Sequence, residues 1–395
     1  MSRICITGMG VISAIGNSLA ENHMSLVEGK CGISLTTTLS SKYAGILPFS
    51  AIQKSDQVLK DELGITESSV TRTGLLALKA FAEAIDDAHL STSEITDVDT
   101  ALIGATTVGG MCLMDELYRD ANSHTVSPYA ASYDCASVNL FLQKHYQMNG
   151  IINTINTACS SSANAIMYGA RLIRNGLAKR VIVGGVDSLS KFTINGFNAL
   201  HILSDECCRP FDQQRKGLNL GEGAAFLVME KEEDVKDKKM YAYLCGYHNS
   251  NDAFHPSSLS TNGEGPYAAM KGALEMAGLE KGQIGFINAH GTGTENNDEV
   301  ESTAMLRLFE EPPVFASTKS NTGHTLGASG AIEAVYSILN LVHQEIYPGL
   351  HFNEPIAATG LIPVKAYTKK EITHVMSNSF GFGGNCSSLI FSKTC

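Results

Sequence analysis

The stretch Ile151-Ile152-Asn153-Thr154-Ile155-Asn156-Thr157-Ala158-Cys159-Ser160-Ser161-Ser162-Ala163 reads as a strand, a turn of small residues and the start of a helix. The apolar run over 151–156 suits a strand, and helical spacing continues from Ser160 to Asn175. A cysteine at that junction meets the unpaired N–H groups and the positive end of the helix, which predicts a stabilised thiolate and a lowered thiol pKa. The small side chains around it leave room for a substrate at the sulfur.

The same alternation extends in both directions. Strands are predicted over 3–7, 101–105, 151–156, 180–184, 241–246, 285–289, 374–378 and 388–391. Helices are predicted over 74–87, 160–175, 267–277, 297–309 and 328–342. Strands interleaved with helices imply an α/β fold with buried sheets. The charge-dense stretch Glu230–Lys239 divides the chain into parts of similar pattern, residues 1–235 and 236–395. Gly8-Met9-Gly10-Val11-Ile12-Ser13 reads as a turn after the first strand; it lacks the third glycine of a dinucleotide fingerprint, so no nucleotide site is expected. Met111–Gly150 reads as a polar, irregular insertion that packs on a second subunit.

Composition excludes several classes. The 395 residues are 44% apolar and 17% charged, with a net charge of −11. That balance argues for a globular protein and against nucleic acid as the main partner. No apolar tract is long enough to span a bilayer. A core strand starting at Arg3 leaves no room for a signal peptide, so a cytoplasmic location is expected. The ten cysteines show no disulfide framework and no paired C-x-x-C elements, so buried, inert thiols and no metal site are expected.

Three further segments carry chemistry. His290 ends the predicted strand over 285–289 and opens His290-Gly291-Thr292-Gly293-Thr294, at a strand terminus where catalytic residues commonly sit. Lys319-Ser320-Asn321-Thr322-Gly323-His324 sets a cation five residues before a second histidine; Glu333, in the following helix, is placed to pair with Lys319 and fix the loop. Asn378-Ser379-Phe380-Gly381-Phe382-Gly383-Gly384 supplies glycines for close backbone approach, two phenylalanines for an acyl pocket and backbone N–H groups for an oxyanion.

Taken with Arg209-Pro210-Phe211-Asp212 and Gly221-Glu222-Gly223-Ala224, these segments resemble the elongating β-ketoacyl-acyl carrier protein synthases, in that family's order and over nearly the whole chain. The resemblance implies a thiolase-like fold, two similar α/β halves in a five-layer α-β-α-β-α arrangement, and a homodimer or a heterodimer with a related ketosynthase. It implies a decarboxylative Claisen condensation of an acyl group on Cys159 with malonyl-acyl carrier protein, in fatty acid or type II polyketide synthesis. His290 and His324 then assist decarboxylation, and Lys319, with Glu333, orients the site. Backbone N–H groups of Cys159 and Phe382 form the oxyanion hole, and Thr292 and Thr294 bind the phosphopantetheine arm. Phe380 and Phe382 line the acyl pocket, Phe382 also as a gate, and Val108 borders it. No cofactor is implied; substrates arrive on the carrier's phosphopantetheine arm.

The match departs at Gly383-Gly384-Asn385-Cys386, where the family has Gly-Gly-Thr-Asn, and in its few cations for carrier docking. Two alternatives stand beside it. A thiolase acting on coenzyme A thioesters wants a second cysteine where Gly381-Phe382-Gly383 stands. A non-catalytic chain-length partner subunit lacks the cysteine that is present at 159.

Overall fold

A computed structural model describes residues 3–37, 39–235 and 238–394. Ten strands form its sheet: β1 (Ile4–Ser13), β2 (Thr100–Ala105), β3 (Ile152–Ile155), β4 (Arg180–Asp187), β5 (Gly223–Lys231), β6 (Ala242–Asn251), β7 (Phe286–Asn288), β8 (Phe315–Ala316), β9 (His374–Phe380) and β10 (Asn385–Ser392). Five helices cover it: α1 (Arg72–Asp87), α2 (Ser161–Arg174), α3 (Glu264–Ala277), α4 (Glu295–Phe309) and α5 (Ser329–His343).

The strand order is β8-β7-β9-β10-β6-β1-β5-β4-β2-β3. It is one topology used twice. In the first half β2 runs parallel to β3 and β4, β4 is antiparallel to β5, and β5 to β1. In the second half β7 runs parallel to β8 and β9, β9 is antiparallel to β10, and β10 to β6. The halves meet where Cys5 pairs with Tyr243 and Ile6 with Ala242.

Helices α2 and α5 occupy equivalent places in the two halves, each between the third and fourth strand. They pack on each other and on strands of both halves. Every residue of α5 from Ser329 to Leu341 is buried, as a helix with core on all sides requires. On the outer faces, α1 covers β1 and β5, while α3 covers β6 and β10 with α4 beside it. The layers therefore run helix, half-sheet, helix pair, half-sheet, helix.

Four readings of the sequence change. Residues 8–13 are not a turn: β1 runs unbroken to Ser13. Its glycines serve packing, because a Cβ on Gly8 would lie 2.4 Å from the Ala84 carbonyl oxygen and one on Gly10 2.1 Å from that of Ala80. Helix α1 thus lies against the strand backbone, and Asp87 and Glu83 accept the Met9 and Val11 N–H groups, each at 2.9 Å. Strand β5, unassigned from sequence, is buried from Gly223 to Glu230 between β1 and β4.

The charged stretch over 230–239 begins inside that strand. Glu230 is buried and paired with Arg180 and Lys238, so a solvated linker does not start there; residues 236 and 237, where the division was expected, lie outside the described residues. Residues 111–150 are not irregular either. They hold helices Met114–Asn122 and Ser137–Tyr146, and Val138 and Leu142 of the latter join the core under α1. Large apolar side chains of this region, among them Tyr118, Val126 and Leu140, stand exposed.

Candidate active site

The turn between β3 and α2 is built for a sharp reversal. Ala158 holds φ +55°, a left-handed conformation rare for a residue with a Cβ. The Ser161 hydroxyl accepts the Thr157 N–H at 2.9 Å, closing the turn. Cys159 is delivered two residues before the first helical residue, ahead of the N-cap Ser160, and it is buried.

The loop after β9 closes over it. A Cβ on Gly381 would lie 2.7 Å from the Thr157 carbonyl oxygen and 3.3 Å from the Cys159 nitrogen, so only glycine permits this approach. The Phe382 N–H then points to the Cys159 sulfur. Asn385 fastens the contact: its Oδ1 accepts from the Ser160 hydroxyl at 2.7 Å and from the Asn164 and Asn249 amides, each at 2.8 Å. The position at which the family motif is broken therefore ties the two halves together at the nucleophile.

His290 follows β7, and helix α4 fixes its loop. Glu301 accepts the N–H of His290 at 2.9 Å and of Gly291 at 2.8 Å; Asp298 accepts those of Thr292 and Gly293. These carboxylates lie one helical turn apart, three residues in sequence, so one face of α4 serves four consecutive backbone donors. Burial pushes the Glu301 carboxyl up to about 7.

His324 is held from the other half of the molecule. Its N–H donates to the Asn219 carbonyl at 2.7 Å, and its carbonyl accepts from Gly221 at 2.9 Å. The Leu326 N–H donates to its Nδ1 at 3.2 Å, and the Ser329 hydroxyl lies 3.0 Å from that nitrogen. The rings of His290 and His324 stand edge to face with centroids 5.5 Å apart, and Phe380 lies 5.7 Å from His290.

Lys319 is buried beneath His290. Its Nζ is 3.2 Å from His290 Nδ1, donates to the His290 carbonyl at 2.6 Å, and pairs closely with Glu333. Burial, and next the Lys319 charge, hold both imidazoles well below the ordinary histidine range. Both rings are neutral near pH 7. Their Nδ1 atoms face donors, which leaves the proton of each ring on Nε2.

A cavity of about 400 Å³ brings Cys159, His290, His324, Thr292, Thr294, Phe380 and Phe382 together. The Thr292 and Thr294 hydroxyls are 2.9 Å apart on its wall. Phe382 stacks on Phe197, centroids 5.9 Å apart. Val108 is not on this lining: it is buried on a separate loop, where Asp187 accepts its N–H. Asp187 also accepts the Gly327 N–H at 2.7 Å, so that carboxyl links the loop of Val108 to the loop of His324.

The thiol departs from the sequence expectation of a lowered pKa. Burial pushes Cys159 up to about 11, and the Lys319 charge and the Phe382 N–H only partly offset it. Glu301, Asp298 and Asp187 carry no signal in the motifs quoted from the sequence, and Asn385 stands there only as a departure from the family motif. The carboxylates at 298 and 301, one turn apart on a predicted helix just after a histidine loop, were the available signal.

Comparisons with known proteins find relatives over the whole length of the chain. The model for "Beta-ketoacyl synthase, N-terminal domain" matches residues 1–235, and that for "Beta-ketoacyl synthase, C-terminal domain" matches residues 241–353. A "Putative 3-oxoacyl-[acyl-carrier-protein] synthase, mitochondrial" of Schizosaccharomyces pombe is 34% identical over 100% of this chain and 99% of its own. "3-oxoacyl-[acyl-carrier-protein] synthase 2" of Vibrio cholerae is 31% identical over 99% of both. Among solved structures, "The ishigamide ketosynthase/chain length factor" superposes with a TM-score of 0.94 at 28% identity over the full length of both chains. A type II polyketide ketosynthase in complex with its acyl-carrier protein superposes at 0.89 and 25% identity, also over both full lengths.

Proposed function

The chain belongs to the β-ketoacyl synthase family, and from that premise we propose how its residues carry out acyl-carrier-protein-dependent condensation. The observation that carries the reading is that both histidines turn Nδ1 to a donor while their rings line the cavity of Cys159, which leaves an Nε2–H of each ring for a substrate.

In the first half-reaction Cys159 attacks the acyl thioester of a carrier protein. The Cys159–acyl bond forms, the carrier's C–S bond breaks, and the thiol proton leaves with the carrier sulfur. Backbone N–H groups of Cys159 and Phe382 hold the oxyanion. In the second, malonyl-acyl carrier protein places its arm along Thr292 and Thr294. The Nε2–H groups of His290 and His324 donate to its thioester carbonyl, and the C–C bond to the carboxylate breaks, releasing carbon dioxide. The enolate attacks the acyl-Cys159 carbonyl, the C–S bond breaks, and the sulfur takes a proton from solvent. No redox step enters this balance, and the substrates bring the phosphopantetheine.

Lys319 is a positioning residue in this scheme, because it touches His290 and Glu333 and not the cavity. Residues 1–235 form the half that bears the nucleophile and 236–395 the half that bears both histidines. A second ketosynthase-fold chain covers the exposed apolar residues of the 111–150 region. A reducing compartment, the cytoplasm, suits a nucleophile that must stay a free thiol.

The test is intact-protein mass measurement after incubation with acyl-carrier protein, with carbon dioxide release from malonyl-carrier protein measured beside it. An acyl adduct on Cys159 and release of carbon dioxide with 3-oxoacyl product are expected. Cleavage of a 3-oxoacyl-coenzyme A without carbon dioxide would favour a thiolase, and an unmodified Cys159 a non-catalytic partner.

A further inference from the structure

Outside the active site, one cluster joins two thiols and an imidazole. Cys31 Sγ, Cys207 Sγ and a ring nitrogen of His351 all lie within 4.8 Å of one another. The three residues come from distant parts of the chain, so no local spacing announces them. Both cysteines are free and half-buried, and His351 is exposed at their rim.

All three ligand-bearing segments hang on one short helical turn, Lys319–Thr322. The Gly32 N–H donates to the Asn321 carbonyl at 2.7 Å, and the Asn321 amide donates to the Lys30 carbonyl at 3.0 Å. The Leu350 N–H donates to the Ser320 hydroxyl at 2.8 Å. Cys208, next to Cys207, donates its thiol to the Lys319 carbonyl at 3.5 Å, and the Cys31 thiol reaches the Ser320 carbonyl at 3.5 Å. The donors are therefore held together before any ion arrives.

A tetrahedral Zn²⁺ takes Zn–S bonds of about 2.3 Å and Zn–N bonds of about 2.0–2.1 Å, so its donors stand about 3.5–3.8 Å apart. Small side-chain rotations would bring the three donors from their present spacing to that one. We propose that Cys31, Cys207 and His351 form a binding site for a thiophilic divalent cation of the Zn²⁺ class, with solvent in the fourth position. On binding, two S–H bonds break, two metal–sulfur bonds form, and two protons pass to solvent with no change of oxidation state. Two thiolates balance the ion's charge, and the nearby Arg209 is paired with Glu206.

A second group, His23, His343 and Glu345, has similar spacing. There the two rings are stacked 3.9 Å apart and only 14° from parallel, so their in-plane lone pairs do not converge on one point. The thiol cluster has no such obstacle. It also favours a metal over a disulfide, because an imidazole beside both sulfurs completes a ligand set that a disulfide does not use.

The test uses full-length, tag-free protein, reduced and stripped by chelator, then titrated with Co²⁺ and in parallel with Zn²⁺. One equivalent per chain is expected, with a sulfur-to-Co²⁺ charge-transfer band in the near ultraviolet. That band should persist in Cys159→Ser and be lost in Cys207→Ser. His351→Asn is a second variant, since asparagine tolerates the left-handed backbone (φ +65°) of this exposed position; it should keep the fold by circular dichroism and weaken Co²⁺ binding. Absence of the band at one equivalent, its loss only in Cys159→Ser, or recovery of a Cys31–Cys207 disulfide with no metal uptake would overturn the proposal. None of these outcomes depends on condensation activity.

Discussion

Lys319 Nζ lies 3.2 Å from Nδ1 of His290 while it pairs with the buried carboxylate of Glu333. One cation thus sets the tautomer of a ring and neutralises an acid that has left water. Lys319→Met should remove both effects. An uncompensated buried carboxylate typically costs about 3–5 kcal/mol, so a clear fall in thermal midpoint is expected. Adding Glu333→Gln should restore much of the stability and little of the condensation rate. If the double variant recovers activity together with stability, Lys319 acts on the fold alone.

The Leu326 N–H, donated to Nδ1, fixes the His324 tautomer. His324→Ala should slow decarboxylation of malonyl-carrier protein about 10²–10³-fold, the usual cost of one donor to a developing oxyanion. Acylation of Cys159 should be much less affected. Carbon dioxide release and intact mass, measured on the same preparation, separate the two steps. Acylation that fails first would mean that the histidine roles are misassigned.

A buried thiol resists ionisation, because low polarity around the sulfur disfavours the charged form and raises the pKa. With Cys159 pushed up to about 11, the thiolate fraction stays small at neutral pH. Alkylation of this residue by iodoacetamide should therefore rise about tenfold per pH unit across the neutral and mildly alkaline range. A rate that levels off near pH 7 would show a thiolate held by the helix end after all.

Gly381→Ala places a Cβ against the Thr157 carbonyl oxygen. Backbone cannot yield there as a flexible side chain could, so the loop of Phe382 must move off the sulfur. We expect loss of Cys159 acylation by about 10²-fold or more, as for removal of an oxyanion donor, with the fold intact by circular dichroism. Normal acylation kinetics would remove the Phe382 N–H from the mechanism.

Much of this was legible in the chain itself. Strand and helix periods are local, so β2, β4, α2 and α5 were readable wherever apolar residues alternate or recur at helical spacing. The types and order of Cys159, His290 and His324 pointed to thioester chemistry. Where packing overrides pattern, reading failed. Gly8 and Gly10 look like turn formers, yet they are strand residues because α1 lies on them. Glu230 looks like a solvated linker residue, yet it is buried because Arg180 and Lys238 reach it.

By itself the sequence determined the repeated strand–helix alternation, the small-residue turn around the nucleophile, and which side chains could do acyl chemistry. All of these depend on neighbours close along the chain. Only the tertiary structure decided which nitrogen of each imidazole carries the proton, that the thiol is raised and not lowered, that Asn385 braces the nucleophile, and that Cys31, Cys207 and His351 meet. Those outcomes depend on burial and on how the loops pack, whether the partner is two residues away, as Leu326 is from His324, or 225, as Asn385 is from Ser160, and they exist only once two copies of one topology close on the shared layer of α2 and α5.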